Sequence, residues 1–201
     1  MKAEMVKLEH NGIHFKVARP RLAEIAIATL LAGSLPPAAN VQQVEPTAIP
    51  GLGEYWPGQG GYNAGLVAAR GDVPAHYLIV AKEDVGNHEW GGRGIDLVST
   101  SKTNGNLNTD LMCYEETVYP AASACAAHEA DGHSDFYLPA CAELYHCWVN
   151  VPDLFAKDTW YWSSSQRSAD TAFFMYFDDG GQHYYGKHNE FRVRPVRRFF
   201  I

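Results

Sequence analysis

Charge is scarce in this 201-residue chain: 19% of its residues are charged, and 16 Lys and Arg face 23 Asp and Glu, for a net charge of −7. That balance argues against a nucleic-acid partner, because neutralising a phosphate backbone takes a basic surface. Long apolar runs are missing too. No stretch of about 18 consecutive apolar residues is present to insert in a membrane as a helix. The four cysteines, Cys113, Cys125, Cys141 and Cys147, form no CxxC pair, and their spacing fits no zinc-ligand pattern. They are compatible with buried thiols or with any of the disulfide connectivities open to them. There is no HExxH, no Gly-x-Ser-x-Gly and no GxxxxGK[ST] string, and the glycine-rich stretch 58–61 lacks the lysine and following helix of a phosphate cradle. Neither an enzyme nor a cofactor is expected.

What the chain has instead is 11 Tyr, 9 Phe and 5 Trp, with 18 Gly and 11 Pro. Apolar residues make up 46%, which is ample for a packed domain and rules out disorder throughout. Low charge combined with Gly and Pro predicts a surface of irregular loops rather than Lys/Glu-rich helices.

Residues 5–17 alternate around Asn11-Gly12 and predict a β-hairpin. Leu22, Ile25 and Leu30 then recur at helical spacing after Pro20, and the helix ends near Gly33-Ser34. Arg19 and Arg21 before this apolar segment and Pro37-Ala38-Ala39 after it imitate a secretory signal. Glu24 and the long preceding region weaken that reading, so the segment is taken as a retained structural piece. A single short amphipathic helix is unstable alone and must pack on a partner. Pro36, Pro37, Pro46 and Pro50 make 34–50 an extended linker.

Beyond the linker, a strand is predicted at 77–81 and loop over 84–111. A helix over about 120–130 opens at Pro120 and stops at Asp131-Gly132, and another opens at Pro139, with Cys141, Leu144/Tyr145 and Trp148 on one face. Strands follow at 159–164, 171–177, 182–186 and 191–199, and Asp178-Asp179-Gly180-Gly181 joins the middle two. Helices first and a β-meander last make an α+β domain.

Four strings occur in order: Gly53-Glu54-Tyr55-Trp56-Pro57-Gly58-Gln59-Gly60-Gly61; Asp135-Phe136-Tyr137-Leu138-Pro139-Ala140 with Glu143-Leu144; Tyr161-Trp162-Ser163-Ser164-Ser165; and Val193-Arg194-Pro195-Val196-Arg197. Together they resemble a domain of unknown function with the C-type-lectin fold, in the longer form found in tailed phages and prophages. The resemblance covers about residues 51–200. It implies two helices and a twisted antiparallel sheet with long loops. It also implies a relation in fold to phage tropism determinants and to formylglycine-generating enzymes. That enzymatic activity needs a reactive cysteine pair late in the domain, and here all four cysteines precede the Tyr-Trp-Ser-Ser-Ser string. The calcium-binding strings of true C-type lectins are absent, and Val151-Pro152-Asp153 does not replace them.

The strings themselves read as scaffold. Alternation sets Trp160 and Trp162 on one face of a strand and Tyr161 on the other, and the serines are placed to bond backbone groups where the strand ends. The arginines of 192–198 are assigned as clamps on carboxylates or carbonyls, and Pro195 breaks strand pairing there. Asp131-Gly132-His133-Ser134-Asp135 is read as a polar turn rather than a cation site.

Binding is therefore sought between the strings, at Gln166, Arg167, Asp170, Gln182, His183, Tyr184, Tyr185, Lys187, His188 and Asn189. Tyrosines give contact area at low entropic cost, and amides and imidazoles give adaptable hydrogen bonds. Related phage proteins with this fold present ligands on the corresponding strands and loops. Few aromatics outside this region are expected in solvent. Five basic residues follow position 186, which predicts a locally neutral to basic surface.

The expectation is a non-enzymatic phage tail-tip or fibre protein, located in the virion. Residues 1–50 would contact other phage tail proteins or assemble a homo-oligomer, with a trimer expected from phage receptor-binding proteins in general. Residues 51–201 would form the lectin-like head that meets a host surface receptor, protein or glycan. The alternatives are a structural virion protein whose head packs on neighbouring subunits, and a bacterial secreted ligand-binding protein.

Overall fold

A computed structural model of the chain describes residues 5–10, 13–18, 49–97 and 100–201. The chain divides into two units, Met1–Pro46 and Thr47–Ile201. In the first, β1 (Met5–His10) pairs antiparallel with β2 (Ile13–Ala18), and His10 lies opposite Ile13. This is the hairpin that the alternation predicts. The predicted turn at Asn11-Gly12, the helix over 22–32 and nearly all of the linker lie outside the described residues.

The second unit is a mixed α+β fold. Its first half runs β3 (Tyr55–Trp56), β4 (Gly61–Val67), β5 (His76–Ala81), β6 (Asn87–Glu89), α1 (Gly105–Tyr114), α2 (Pro120–Ala126) and α3 (Cys141–Asn150). A 3-10 turn at Pro152–Leu154 leads into β7 (Trp160–Gln166), β8 (Thr171–Tyr176), β9 (Gln182–Gly186), β10 (Glu190–Arg192) and β11 (Val196–Phe200). Two sheets result. One has strand order β11-β5-β4-β3, the other β6-β10-β7-β8-β9. All pairings are antiparallel except β10 with β7, which is parallel.

Strands β7 and β8 are buried on both faces, and their alternation feeds two cores. Trp162, Ala172 and Phe174 join Trp90, Tyr119, Phe191 and Val193 in one. Tyr161, Met175 and Phe177 join Leu78, Leu144, Phe155 and Val196 in the other. Each large side chain closed off in this way contributes about 1.5–3 kcal/mol relative to exposure. The opposed faces of Tyr161 and Trp162 are as the sequence predicts. The serines behave differently. Ser163, Ser164 and Ser165 are buried within β7, where its register against β8 shifts between Trp162 and Gln166. Their hydroxyls serve the backbone and Asn108 in mid-strand: Ser163 donates to Phe173 O at 2.8 Å and Ser165 to Ser101 O at 2.9 Å.

Helix α1 occupies part of the predicted loop. Its buried positions, Gly105, Asn108, Thr109 and Met112, have helical spacing, but only one of them is a large apolar residue. Asn104 caps it by accepting from Leu107 N. Asn108 ties the helix inward through Ser101 and Ser164, and Thr109 accepts from Leu138 N at 3.0 Å. Helix α2 ends at Ala126, short of the predicted Asp131-Gly132 stop. On α3 the buried positions are Cys141, Glu143, Leu144 and Cys147, whereas Tyr145 is exposed.

Glu143 explains much of that region. One carboxylate oxygen accepts from Gly105 N at 3.0 Å and Ala140 N at 2.8 Å, and the other from Tyr137 OH at 2.8 Å and Arg198 at 2.9 Å. It thereby joins the starts of α1 and α3 to β11. Gly105 is required there, since a Cβ would lie 2.5 Å from Leu138 O and from the same carboxylate. The four cysteines are free thiols; Cys113 is exposed, whereas Cys125, Cys141 and Cys147 are buried and pack as small apolar groups, and burial pushes the thiols of Cys125 and Cys147 well up.

Candidate functional site

The predicted single strand over 191–199 is two strands in different sheets, because Pro195 interrupts it between β10 and β11. The arginines around it are clamps. Arg194 bonds Ala81 O, Lys82 O and the Asp84 carboxylate, and Arg197 grips Asp135 through both carboxylate oxygens. Lys187, Arg194 and Arg197 are buried, Arg198 pairs with buried Glu143, and Arg192 pairs with Asp84. The late basic residues therefore do not make the basic surface that their position in the sequence suggests.

Lys187 is fully buried, so it is not a surface contact. Its ammonium donates to Ile95 O at 2.8 Å, Gln166 Oε1 at 2.7 Å and Gly92 O at 3.3 Å, and lies 4.6 Å from the centre of the Trp90 ring. Burial lowers its pKa to about 8, with Asp96 and Asp170 opposing the shift. Gln166 is committed as well, accepting also from Leu97 N and donating to Asp96. Asn189 bonds Gly186 O and closes the β9–β10 turn. These three residues hold the loop 91–97 and the turn in place, a role that side-chain type alone did not reveal.

The remaining candidates surround β9. This strand is an edge, paired only with β8 among the described residues. Gln182, His183, Tyr184 and Tyr185 are all exposed, but the pleat separates them. Tyr184 lies with Phe173 on one face, where the Arg167 guanidinium stacks 3.7 Å from the ring centre. Gln182 points inward enough to donate to Cys141 O at 2.7 Å. His183 and Tyr185 occupy the other face, 6.1 Å from Phe174 and 5.9 Å from Phe191 between ring centres. His188 is exposed in the following turn, and Asp170 is exposed with Arg93 at 3.7 Å.

Trp160 completes the second face and was not among the predicted contacts. It is 45% exposed and lies 5.0 Å from Phe191 and 5.5 Å from Phe174. Trp160, His183 and Tyr185 thus form an aromatic platform whose underside is the closed ring pair Phe174 and Phe191. Such rings give a partner apolar area with little side-chain entropy to lose. The signal for Trp160 was available, because alternation places it on the Trp162 face at the very start of the strand. Exposed aromatics are also commoner than expected: Tyr55, Tyr114, Tyr145 and Phe200 reach solvent, whereas Tyr176 is half-buried.

The Asp131–Asp135 string is a polar turn whose carboxylates are already used. Asp131 accepts from Tyr55 OH, Gly58 N and Gly60 N at 2.8–3.1 Å, and these bonds hold its pKa below the ordinary value. Asp135 belongs to Arg197. Among the described residues no group of three His, Cys, Asp or Glu side chains is placed to hold a metal ion, and no helix is long and apolar enough to cross a membrane. No protein-family model matches this sequence, and no curated protein matches it either.

Proposed function

We propose that this chain is a non-enzymatic phage tail-associated protein whose residues 51–201 adopt a C-type-lectin-like fold and recognise the host cell surface. The observation that carries the reading is the platform formed by His183 and Tyr185 of the edge strand β9 with Trp160 of β7, with Tyr184, stacked by Arg167, on the reverse face of β9. Aromatic faces rimmed by imidazole and guanidinium groups suit a glycan or protein receptor better than they suit bond-breaking chemistry. The four ordered strings favour the lectin-like fold, and their residues have scaffold roles consistent with it: buried serines, internal arginines and a hub glutamate. In this reading residues 1–50 join the head to other tail proteins and to further copies of the chain, with a trimer as the expected assembly and the virion as the location.

The test is adsorption. Phage carrying Trp160→Ala, Tyr184→Ala, Tyr185→Ala and His188→Ala together should assemble and fail to adsorb to host cells. Undiminished adsorption by such particles refutes the receptor-binding assignment. The open edge of β9 also suits pairing with a neighbouring subunit. Loss of particle assembly, with the isolated head still folded, favours that structural role instead.

A further inference from the structure

We propose that a second pocket, remote in sequence from β9, binds a small uncharged molecule that has an apolar ring or chain and one hydroxyl, with the hydroxyl donating to Nε2 of His76. The pocket has a volume of about 470 Å³ and lies between the end of β4 with its following turn and the outer face of α3. That volume is in the range of small-molecule sites.

Its walls follow from local structure. On one side Ala142, Tyr145, His146 and Val149 recur at helical spacing along α3. This face is distinct from the one that carries Cys141, Leu144 and Cys147 into the core, so the helix has a second apolar stripe. On the other side Val67 continues from β4, and the chain reverses in a tight turn where Arg70 and Val73 exchange backbone hydrogen bonds of 2.9 and 3.1 Å. Glu143 is also part of the lining, but its carboxylate is occupied by four protein donors and offers a ligand nothing.

His76 is the group left over. It is 2% exposed and lines the pocket. Its Nδ1 lies 2.8 Å from Pro74 O, and a carbonyl only accepts, so Nδ1 carries the ring proton. Nε2 of the neutral ring is then an acceptor, and it has no hydrogen-bond partner among the described residues. Burial is the main cause that holds the pKa of the ring below its ordinary value; the hydrogen bond to Pro74 O opposes it, and the charge of Arg198 then lowers the pKa, Glu143 raises it and His146 lowers it by lesser amounts. An acceptor taken out of water without a donor is unfavourable, and a ligand hydroxyl removes that cost while the apolar walls take up its body. A charged ligand gains less, because the buried carboxylate of the lining, Glu143, is already paired with Arg198, and Arg70 at the turn is exposed to water.

The experiment titrates the full chain with 4-ethylphenol and, as the control lacking the donor, 4-ethylanisole, following backbone and imidazole nitrogen resonances by NMR. The phenol should bind roughly fivefold to a hundredfold more tightly than the anisole, in keeping with the worth of a buried hydrogen bond, and should shift the Nε2 resonance of His76. His76→Phe should equalise the two probes. Ala142→Leu, which narrows the pocket from the helix side and leaves His76 in place, should weaken both. The proposal is overturned if neither probe binds. It is overturned equally if both probes bind the wild-type chain alike, or if the shifts map to Trp160 and Tyr185.

Discussion

On β9, His183 and Tyr185 stand with much of their surface in water above rings that are already closed into the core. Beside α3, the uncommitted Nε2 of His76 is itself out of water. As the two proposed binding regions of one domain, they would recognise a partner in different ways. The open face offers area and tolerates small changes in a partner, because its polar groups are solvated when it is empty. The pocket offers one directional bond whose acceptor is unsatisfied until something donates to it, so it discriminates by chemistry rather than by area. Both depend on internal salt and hydrogen-bond work nearby: Glu143 and Arg198 under the pocket, Lys187 and Gln166 behind the face.

Breaking the support beneath the pocket should have the largest effect. Glu143→Ala removes four hydrogen bonds and leaves the Arg198 guanidinium, 9% exposed, without its carboxylate. The expected loss is about 3–5 kcal/mol in a denaturant titration, and a loss below about 1 kcal/mol would show that the hub is dispensable.

Removing the support behind the β9 face should cost less. Lys187→Met removes the three bonds of the ammonium and leaves Ile95 O without a donor, since Gly92 O still accepts from Ile95 N and Gln166 Oε1 from Leu97 N, for about 1–3 kcal/mol, partly offset by relief of a buried charge. The wild-type pH dependence sharpens this. Lys187 loses its proton near pH 8 when folded and near 10.5 when unfolded, so between those values the unfolded chain binds the extra proton. Stability attributable to this residue should therefore rise as pH goes from about 8 to about 10.5. The Met variant should lack that rise, and an identical pH profile for the two proteins contradicts the burial of a titrating lysine.

The smallest effect on folding is expected at the proposed receptor contacts. Tyr184→Ala with Tyr185→Ala gives up the stacking of Arg167 on Tyr184 and some half-exposed ring area, about 1 kcal/mol in thermal or denaturant unfolding. A loss of several kcal/mol would mean that these rings belong to the core and that the two regions do not differ as described.

The strands and α3 were legible because their large residues recur with the period of the element. Tyr161 and Trp162 point into two different cores as neighbours on a strand must, and Leu144 and Cys147 follow a helical face. Helix α1 was illegible for the opposite reason. Its inward positions are Gly105, Asn108, Thr109 and Met112; Asn108 accepts from Ser101 N and donates to Ser164 Oγ, Thr109 accepts from Leu138 N, and Met112 alone supplies a large apolar side chain, so no apolar period shows. The surface strand β9 was located correctly, but its neighbours were not sorted. Nothing in the residue types of Lys187, Gln166 or Asn189 distinguishes a contact from an internal staple, since that depends on the loop 91–97 folding over them. Trp160 shows the converse case: its face was deducible, whereas its exposure depended on where β7 begins. The pocket at His76 was not foreseen at all, because its walls come from segments some seventy residues apart.

The clamps at the end of the chain impose an order on its folding. Strand β11 pairs with β5, and Arg194, Arg197 and Arg198 close onto Asp84, Asp135 and Glu143, partners 110, 62 and 55 residues earlier in the sequence. During synthesis those three carboxylates emerge from the ribosome well before their arginines, and β5 emerges with an open edge. Contacts of such long range make closure slow relative to local helix formation. Until residues near 198 are released, the nascent domain exposes the edge of β5 to any other strand that passes, so β11 determines whether that sheet is completed within its own chain or by another.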